Sequence, residues 1–406
     1  MDVMETITLD VTEFANGGYA VGRASRGRTV FVPLAIAGEK VRVTIHTEKN
    51  KYAYAHLEEV LRPSADRVAP QCPHFGMCGG CHWQHMSYAA QLRAKEAVIA
   101  DQLERIGGIK QAPIAPAVAY PEPWAYRQEI ALSPVEGGGL GYWSPVERRV
   151  FAMETCAIAR PELLTLLQDI DLDLPGLRKL TLRVGEDGDL LAAMEVDDVE
   201  PPELEADFPI AVAIVLPDKT AVTLVGDNFT IHTINGRDFR VSAGCQLPAD
   251  GLLVDEVLRC AALQGTETVL ELYSGVGTLT AFLADAAAEV VAIEMNPDAV
   301  ADTAVNVDAE NVSLYEGLVD EILPELSLQP DVVVVHPGKE GVSRAVLQQI
   351  VALRPLRLVY ASSDIATFAR DAKQLHRAGY KLAHIQPIDL RPQTFHIDLV
   401  GLWLPA

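Results

Sequence analysis

The sequence predicts an α/β protein in three parts. Residues 1–62 form a small β-barrel, residues 63–240 a central α+β region with a cysteine loop, and residues 241–406 a domain on a doubly wound parallel sheet. Three observations predict this. From about residue 250, short apolar runs alternate with amphipathic ones, the pattern of helices covering both faces of a parallel sheet. The first 62 residues hold short runs rich in Val, Thr, Tyr and Phe, divided by turn signals. Between these parts, Cys72, Cys78 and Cys81 fall within ten residues, in the run CPHFGMCGGC.

A chain of 406 residues has room for two to three domains. Its net charge of −23 is unevenly spread: residues 161–330 hold 33 acidic and 7 basic side chains, and the remainder 23 acidic and 26 basic. A strong electrostatic footprint for nucleic acid is therefore absent, although a local basic surface is compatible with the outer parts. No apolar run reaches the length of a membrane span, and the acidic start MDVMETITLD resembles neither a signal nor a transit peptide. The expectation is a soluble, cytoplasmic protein, away from membranes, and a monomer.

In the barrel, turns are expected at Asn16-Gly17-Gly18, Arg26-Gly27 and Ala37-Gly38. Arg23, Arg26, Arg28, Lys49 and Lys51 lie beside Tyr19, Phe31, Tyr52 and Tyr54 in the sequence. Such a pattern suits single-stranded nucleic acid held by stacking and backbone contacts. It equally suits core aromatics with a solvated rim of charge.

The C-x5-C-x2-C loop is flanked by Gly76, Gly79 and Gly80, which let the backbone wrap closely around a metal. A fourth thiolate must come from elsewhere, and Cys156 is available. The pattern points to an iron–sulfur centre or a structural metal joining two parts of the chain. Zinc stays open, though all-cysteine zinc sites usually show two short knuckles and this chain has one. Disulfides fit poorly with a cytosolic chain. A helix then runs from Tyr88 to Ile106 and stops at Gly107-Gly108. Residues 118–240 alternate as antiparallel strands, with a solvated acidic loop from Glu195 to Pro209.

In the C-terminal part, helices are expected over Leu253–Leu263 and Ala281–Ala287. Strands are expected over Thr268–Tyr273, Val290–Glu294, Val332–Val335 and Arg357–Ala361. The segment VLELYSGVGTLT places Gly275 and Gly277 just past a buried strand, where a ligand can approach the turn closely. Glu294 ends the next strand, where an acid suits a pair of ribose hydroxyls. The third glycine of a dinucleotide fingerprint is Thr280 here, so Glu271 and Glu294 together favour S-adenosylmethionine over NAD.

These features together make the chain resemble the S-adenosylmethionine-dependent RNA 5-methyluridine methyltransferases, which modify uridine in tRNA and 23S rRNA. The likeness runs through the barrel, CPHFGMCGGCHWQH, Trp124-Ala125-Tyr126-Arg127, LELYSGVGTLT, YASSDIATFARD and GYKLAHIQPIDLRPQTFHIDLV. It implies an OB-like TRAM barrel, a 4Fe–4S cluster on Cys72, Cys78, Cys81 and Cys156, and a Rossmann-like class I methyltransferase domain. It further implies RNA (rRNA or tRNA) as partner and S-adenosylmethionine as cofactor, held by Gln246, Tyr273, Gly275, Gly277, Glu294 and the position of His336.

The departures fall on the chemistry. The family's nucleophilic cysteine stands in a Ser-Cys-Asn-Pro run, whereas this chain reads Ser362-Ser363-Asp364-Ile365, so Ser363 takes the cysteine's place. The family's catalytic glutamate is Asp398. Its Asp-Pro-Pro-Arg loop is His336-Pro337-Gly338-Lys339, and a further acid is Leu318. Uracil C5 becomes nucleophilic only after a thiolate adds to C6, and a serine hydroxyl needs a positioned base to do the same. Cys245 and Cys260 are expected to be buried and structural. The resemblance therefore implies a protein that binds RNA and S-adenosylmethionine, the latter more weakly, with Ser363 inert and uridine-C5 methylation lost. Two alternatives are methyl transfer to another atom, with Asp364, His336 or Asp398 as base, and a non-enzymatic RNA-binding scaffold.

Overall fold

A computed structural model describes residues 5–24, 27–170, 174, 176–197, 209–217 and 219–406. Arg26 of the expected Arg26-Gly27 turn, and residues 198–208 of the expected acidic loop, lie outside the described residues. No described helix is long and apolar enough to cross a membrane.

The N-terminal strands β1 (Thr6–Phe14), β2 (Ala20–Arg23), β3 (Thr29–Val32), β4 (Lys40–Glu48) and β5 (Tyr52–Arg62) close into a barrel in the order β1-β2-β3-β5-β4. Alternation decides its faces: Leu9, Val11, Val30, Val32, Val41, Val43, Ala53 and Ala55 fill the interior. The aromatic residues of β5, Tyr52 and Tyr54, alternate with Ala53 and Ala55 and so face outward.

The cysteine loop leads into α1 (Tyr88–Gln102). The expected helix to Ile106 is α-helical only to Gln102, continues as a π turn over Leu103–Gly107, and ends at Gly108 in the left-handed region. The central sheet holds β6 (Glu129–Pro134), β7 (Leu140–Ser144), β8 (Arg149–Ala152), β9 (Leu177–Val184), β10 (Leu190–Val196), β11 (Ala211–Val215) and β12 (Ala221–Val225). Its order is β12-β11-β10-β9-β6-β7-β8. One pair, β10 with β11, is parallel rather than antiparallel as expected, and the unforeseen α2 (Pro161–Asp169) covers the sheet. Glu195, placed by the sequence in a loop, lies within β10 and pairs with Lys179 and Lys219.

A hairpin, β13 (Phe229–Ile234) and β14 (Arg237–Ser242), stands between the two large sheets; residue 241 lies within β14. Buried Arg183 of β9 donates to the carbonyls of Val241, Ser242 and Cys245, tying the central sheet to the segment before the C-terminal domain.

That domain runs α3 (Gly251–Ala261), β15 (Thr268–Leu272), α4 (Thr278–Ala284), β16 (Glu289–Glu294), α5 (Pro297–Asn306), β17 (Val312–Glu316), α6 (Val319–Ile322), β18 (Val332–Val335), α7 (Arg344–Leu353), β19 (Arg357–Ser362), α8 (Ile365–Arg377), β20 (Tyr380–Ile388) and β21 (Asp398–Pro405). The sheet order is β17-β16-β15-β18-β19-β21-β20. The first five strands are parallel, but β21 and β20 run antiparallel, which corrects the wholly parallel expectation. The Val332–Val335 run is fully buried, since helices cover both faces.

Candidate functional site

Ligands of open α/β sheets sit beyond the carboxyl ends of the strands, where the strand order reverses. Here that point lies between β15 and β18, and the expected cofactor residues gather around it. Tyr273 follows β15 with φ of 65°, and its backbone N–H donates to the Ile293 carbonyl at 3.0 Å. Gly277 opens α4 at φ of 80°, where a Cβ would stand 2.7 Å from the Thr303 methyl, so α5 packs against the loop only because the residue is glycine. At Gly275 a Cβ would meet nothing within 4 Å, so open space lies before the loop.

Glu294 braces this loop. One of its oxygens accepts from Gly275 N at 2.9 Å, and the other from Met295 N and Asn296 N at 2.8 Å each. Glu271, fully buried in β15, accepts from Thr280 Oγ1 at 2.7 Å, while its other oxygen has no partner. Burial, then the nearby Glu294 charge, pushes the Glu271 carboxyl up to about 8, so it is protonated at neutral pH. Ser274 Oγ and Thr278 Oγ1 are likewise buried without partners. Three orphaned polar atoms around one open loop are the condition of a site shaped for a polar ligand.

The remaining cofactor positions are poorer. Gln246 is exposed and makes no side-chain hydrogen bond among the described residues. Leu318 is 44% exposed and caps α6 without a side-chain bond. Among the described residues the His336 side chain forms no hydrogen bond, and burial lowers it to about 4, so it is neutral. No hydrogen bond joins it to Ser363.

Ser363 lies just past β19. Register pairs Ser362 with Leu399 and so brings Ser363 beside Asp398 at the start of β21. Between them stands Arg391, which sequence reasoning passed over. Its guanidinium donates to both Asp398 oxygens, at 2.9 and 3.1 Å, and to the Ser363 carbonyl at 3.1 Å. Asp364, weighed as a base, instead caps α8, accepting from Thr367 N at 2.8 Å and from its hydroxyl at 3.1 Å. Cys260 is buried on α3, and Cys245 packs with Val241, Val276 and Ala299 beneath the cofactor loop. Burial holds both thiols in the neutral form.

The loop bearing Arg391 is held by α1 and the cysteine loop. Lys95 and Asp389 pair at 2.5 Å, both almost wholly buried, and Asp389 also accepts from Arg391 N. Gln91 and Gln393 exchange two hydrogen bonds of 2.9 Å. The N–H groups of His82 and Trp83, next to Cys81, donate to the Gln393 carbonyl. Nothing in the local sequence signals these contacts, because partners some 300 residues apart meet only in the fold.

Cys72, Cys78, Cys81 and Cys156 line one cavity with Phe75, Met153 and Arg127. Among the described residues no three His, Cys, Asp or Glu side chains are grouped to hold a metal ion. The thiols thus share a space without converging on a single point. Burial raises the Cys78 and Cys156 thiols and pushes Cys81 up to about 12. Arg127 faces these groups, with tyrosines and thiols as its leading electrostatic neighbours and no ion pair to a carboxylate among the described residues. A cation in that setting calls for an anionic occupant.

The TRAM-domain profile matches residues 2–57, and that of ribosomal RNA adenine dimethylases matches residues 236–317. The chain is 30% identical over 447 residues to an uncharacterized RNA methyltransferase of Halalkalibacterium halodurans, covering 99% of this chain and 96% of the relative. A relative of the same description from Nostoc sp. is 30% identical over 441 residues, covering 98% and 96%. In fold, the chain is similar to the Pyrococcus abyssi tRNA (uracil-54, C5)-methyltransferase in complex with S-adenosyl-L-homocysteine. The TM-score is 0.72 at 22% identity, with 98% of this chain and 99% of that chain covered. With a closed barrel at one end, a class I sheet at the other and relatives aligned along nearly its full length, the chain belongs to the TRAM-bearing RNA methyltransferase family, whose uridine-C5 members its sequence resembles.

Proposed function

We propose that this protein binds RNA and S-adenosylmethionine but does not methylate uridine C5 through a covalent adduct. The observation that carries the reading is the state of the Ser363 site. A serine needs a base to attack C6, and none is poised for it: Asp364 caps the helix, Asp398 pairs with Arg391, and His336 makes no hydrogen bond to Ser363 among the described residues.

S-adenosylmethionine is supported by the orphaned atoms of Glu271, Ser274 and Thr278, the open face of Gly275, and a structural relative that holds S-adenosyl-L-homocysteine. Bound there, it supplies an electrophilic methyl group. Glu294 stands beside the loop for the ribose, and Tyr273 enters the same loop at the end of β15. Exposed Gln246, Leu318 and neutral His336 offer little, which supports weak binding.

The four thiols support a 4Fe–4S cluster. Each would ligate a different iron, which suits thiols that line a cavity better than a single zinc ion would. Their combined negative charge would balance Arg127. In this reading residues 63–240 carry the centre, 1–62 contact RNA, and 241–406 hold the cofactor.

The test is RNA transcribed with 5-fluorouridine, incubated with protein and S-adenosylmethionine. We expect no covalent complex on a denaturing gel; a trapped complex would sink the reading. A second reading, transfer to a base nitrogen, is favoured by the adenine dimethylase profile over residues 236–317, since an exocyclic amine takes a methyl group without any covalent adduct. Labelled S-adenosylmethionine with total cellular RNA, followed by nucleoside analysis, separates the two: label in a nitrogen-methylated nucleoside selects the second.

A further inference from the structure

The loop of residues 389–394, which carries Arg391, is gripped from two sides, and each grip comes from backbone adjoining a cysteine. On one side, the N–H groups of His82 and Trp83, the two residues after Cys81, donate to the Gln393 carbonyl at 2.9 and 3.0 Å. Gln91 locks this contact. Its amide nitrogen donates to the Trp83 carbonyl at 3.1 Å and to Gln393 Oε1 at 2.9 Å, and its oxygen accepts from Gln393 N at 2.9 Å. On the other side, the two residues after Cys156 act through Tyr126. The Ala157 and Ile158 carbonyls accept from the N–H groups of Ala125 and Arg127 at 3.0 and 2.8 Å. The Tyr126 hydroxyl, held between them in the chain, donates to the Pro392 carbonyl at 2.9 Å.

The loop depends on this hold. Gln393 sits at φ of 67°, in the left-handed region that a residue with a Cβ takes only when its surroundings impose it. It is buried, and its backbone N–H and carbonyl are satisfied by the groups just named. Two residues earlier, Arg391 reaches Asp398 and the Ser363 carbonyl, so a shift at Pro392 and Gln393 is also a shift at Arg391. The Lys95–Asp389 pair anchors the start of the loop through no residue adjoining a cysteine, so loosening of the two grips is a local event. Cys81 and Cys156 belong to separate segments, and a group bound by both thiols fixes the spacing of those grips.

We infer that residues 389–394 form a latch: occupancy of the cysteine cavity tightens it and seats Arg391 on Asp398 and Ser363, and loss of the occupant loosens it. The inference rests on the iron–sulfur reading of the four thiols, and adds what that centre does for the rest of the chain. Coupling between two sites is reciprocal, so a change that frees the loop also weakens the hold on the occupant. Tyr126 and Gln91 are then positioning residues, acting on the Ser363 site only through the loop they grip.

The test is hydrogen exchange read by mass spectrometry on the full chain, reconstituted anaerobically with iron and sulfide and then stripped by a chelator. Exchange in peptides spanning residues 389–397 should be about tenfold faster in the stripped protein, while the buried strand Val332–Val335 stays protected in both. Tyr126→Phe keeps the ring and removes one hydrogen bond to the loop. It should speed exchange at 389–397 in the loaded protein and release iron to a chelator about fivefold faster. If iron is taken up and exchange at 389–397 is the same loaded and stripped, the latch is wrong while the cluster stands. Equal loosening of Val332–Val335 would mean global unfolding and would equally overturn the latch. If no iron is taken up, the cluster and the latch fall together.

Discussion

Arg391 holds Asp398 by both carboxylate oxygens and reaches the Ser363 carbonyl with the same guanidinium. One side chain thus occupies the acid that would act as base and the backbone of the residue that would act as nucleophile. The arrangement is nearly buried, with the Asp398 side chain 10% and the Arg391 side chain 23% exposed. Such a pair orients the carboxylate and balances its charge, so Asp398 is held by Arg391 rather than by Ser363.

This leads to an asymmetric outcome for mutations in the pair. Arg391→Leu strands the Asp398 charge and should destabilise the fold by about 3 kcal/mol, whereas Asp398→Asn, which keeps an acceptor, should cost about half as much. Urea denaturation followed by circular dichroism measures both. Equal effects would mean that the pair is solvated and mechanically unimportant.

Restoring the thiol should separate adduct formation from turnover. Ser363→Cys supplies the nucleophile that a 5-fluorouridine RNA traps, so a covalent complex should appear where wild type gives none. Methylation of ordinary uridine should stay slow, because Asp398 is still held by Arg391 when a proton must leave C5. Fast turnover by Ser363→Cys alone would show that Arg391 releases the acid.

Glu271 sets a pH dependence. Its folded pKa is raised to about 8 from 4.5, so the folded state keeps a proton that the unfolded state loses. The stabilisation is complete below about pH 4.5 and is lost as pH rises toward 8, at up to about 1.4 kcal/mol per pH unit inside that window. Glu271→Gln, which still accepts from Thr280, should flatten the profile of stability against pH between 5 and 8. A wild-type profile already flat there would place a charged carboxylate in the core.

Arg127 should act with opposite sign in metal-free and loaded protein. Without a cluster it meets tyrosines and thiols but no carboxylate among the described residues, so Arg127→Leu should stabilise the metal-free protein by about 1 kcal/mol. With four thiolates and a cluster present, the same change removes the balancing cation, so iron and sulfide should be lost faster to a chelator. Iron and sulfide analysis with thermal melts reads both arms. Absence of any iron uptake on anaerobic reconstitution would dismiss the cluster itself.

Much of the architecture was legible because it rests on local pattern. The apolar run Val332–Val335 needs no partner to read as a central strand, and its limits agree with the sequence expectation. The glycine-bounded turn after β15 was legible for the same reason. Helix limits were less so: the expected Ala281–Ala287 is Thr278–Ala284, since Gly277 sets the start and packing against α5 sets the angle. Strand direction was not legible at the sheet's far edge, because apolar alternation in β20 and β21 reads the same either way.

The sequence by itself determined the fold class, the four cysteines that share a cavity, and a serine at 363 where the resemblance expects a nucleophilic cysteine, since each depends on residue type and spacing along the chain. Only the tertiary structure decided which groups neutralise one another. Arg391 against Asp398, Lys95 against Asp389, and Arg127 with no carboxylate partner among the described residues are settled by through-space distance and burial. Those two quantities govern electrostatic energy, and neither is written in the order of residues.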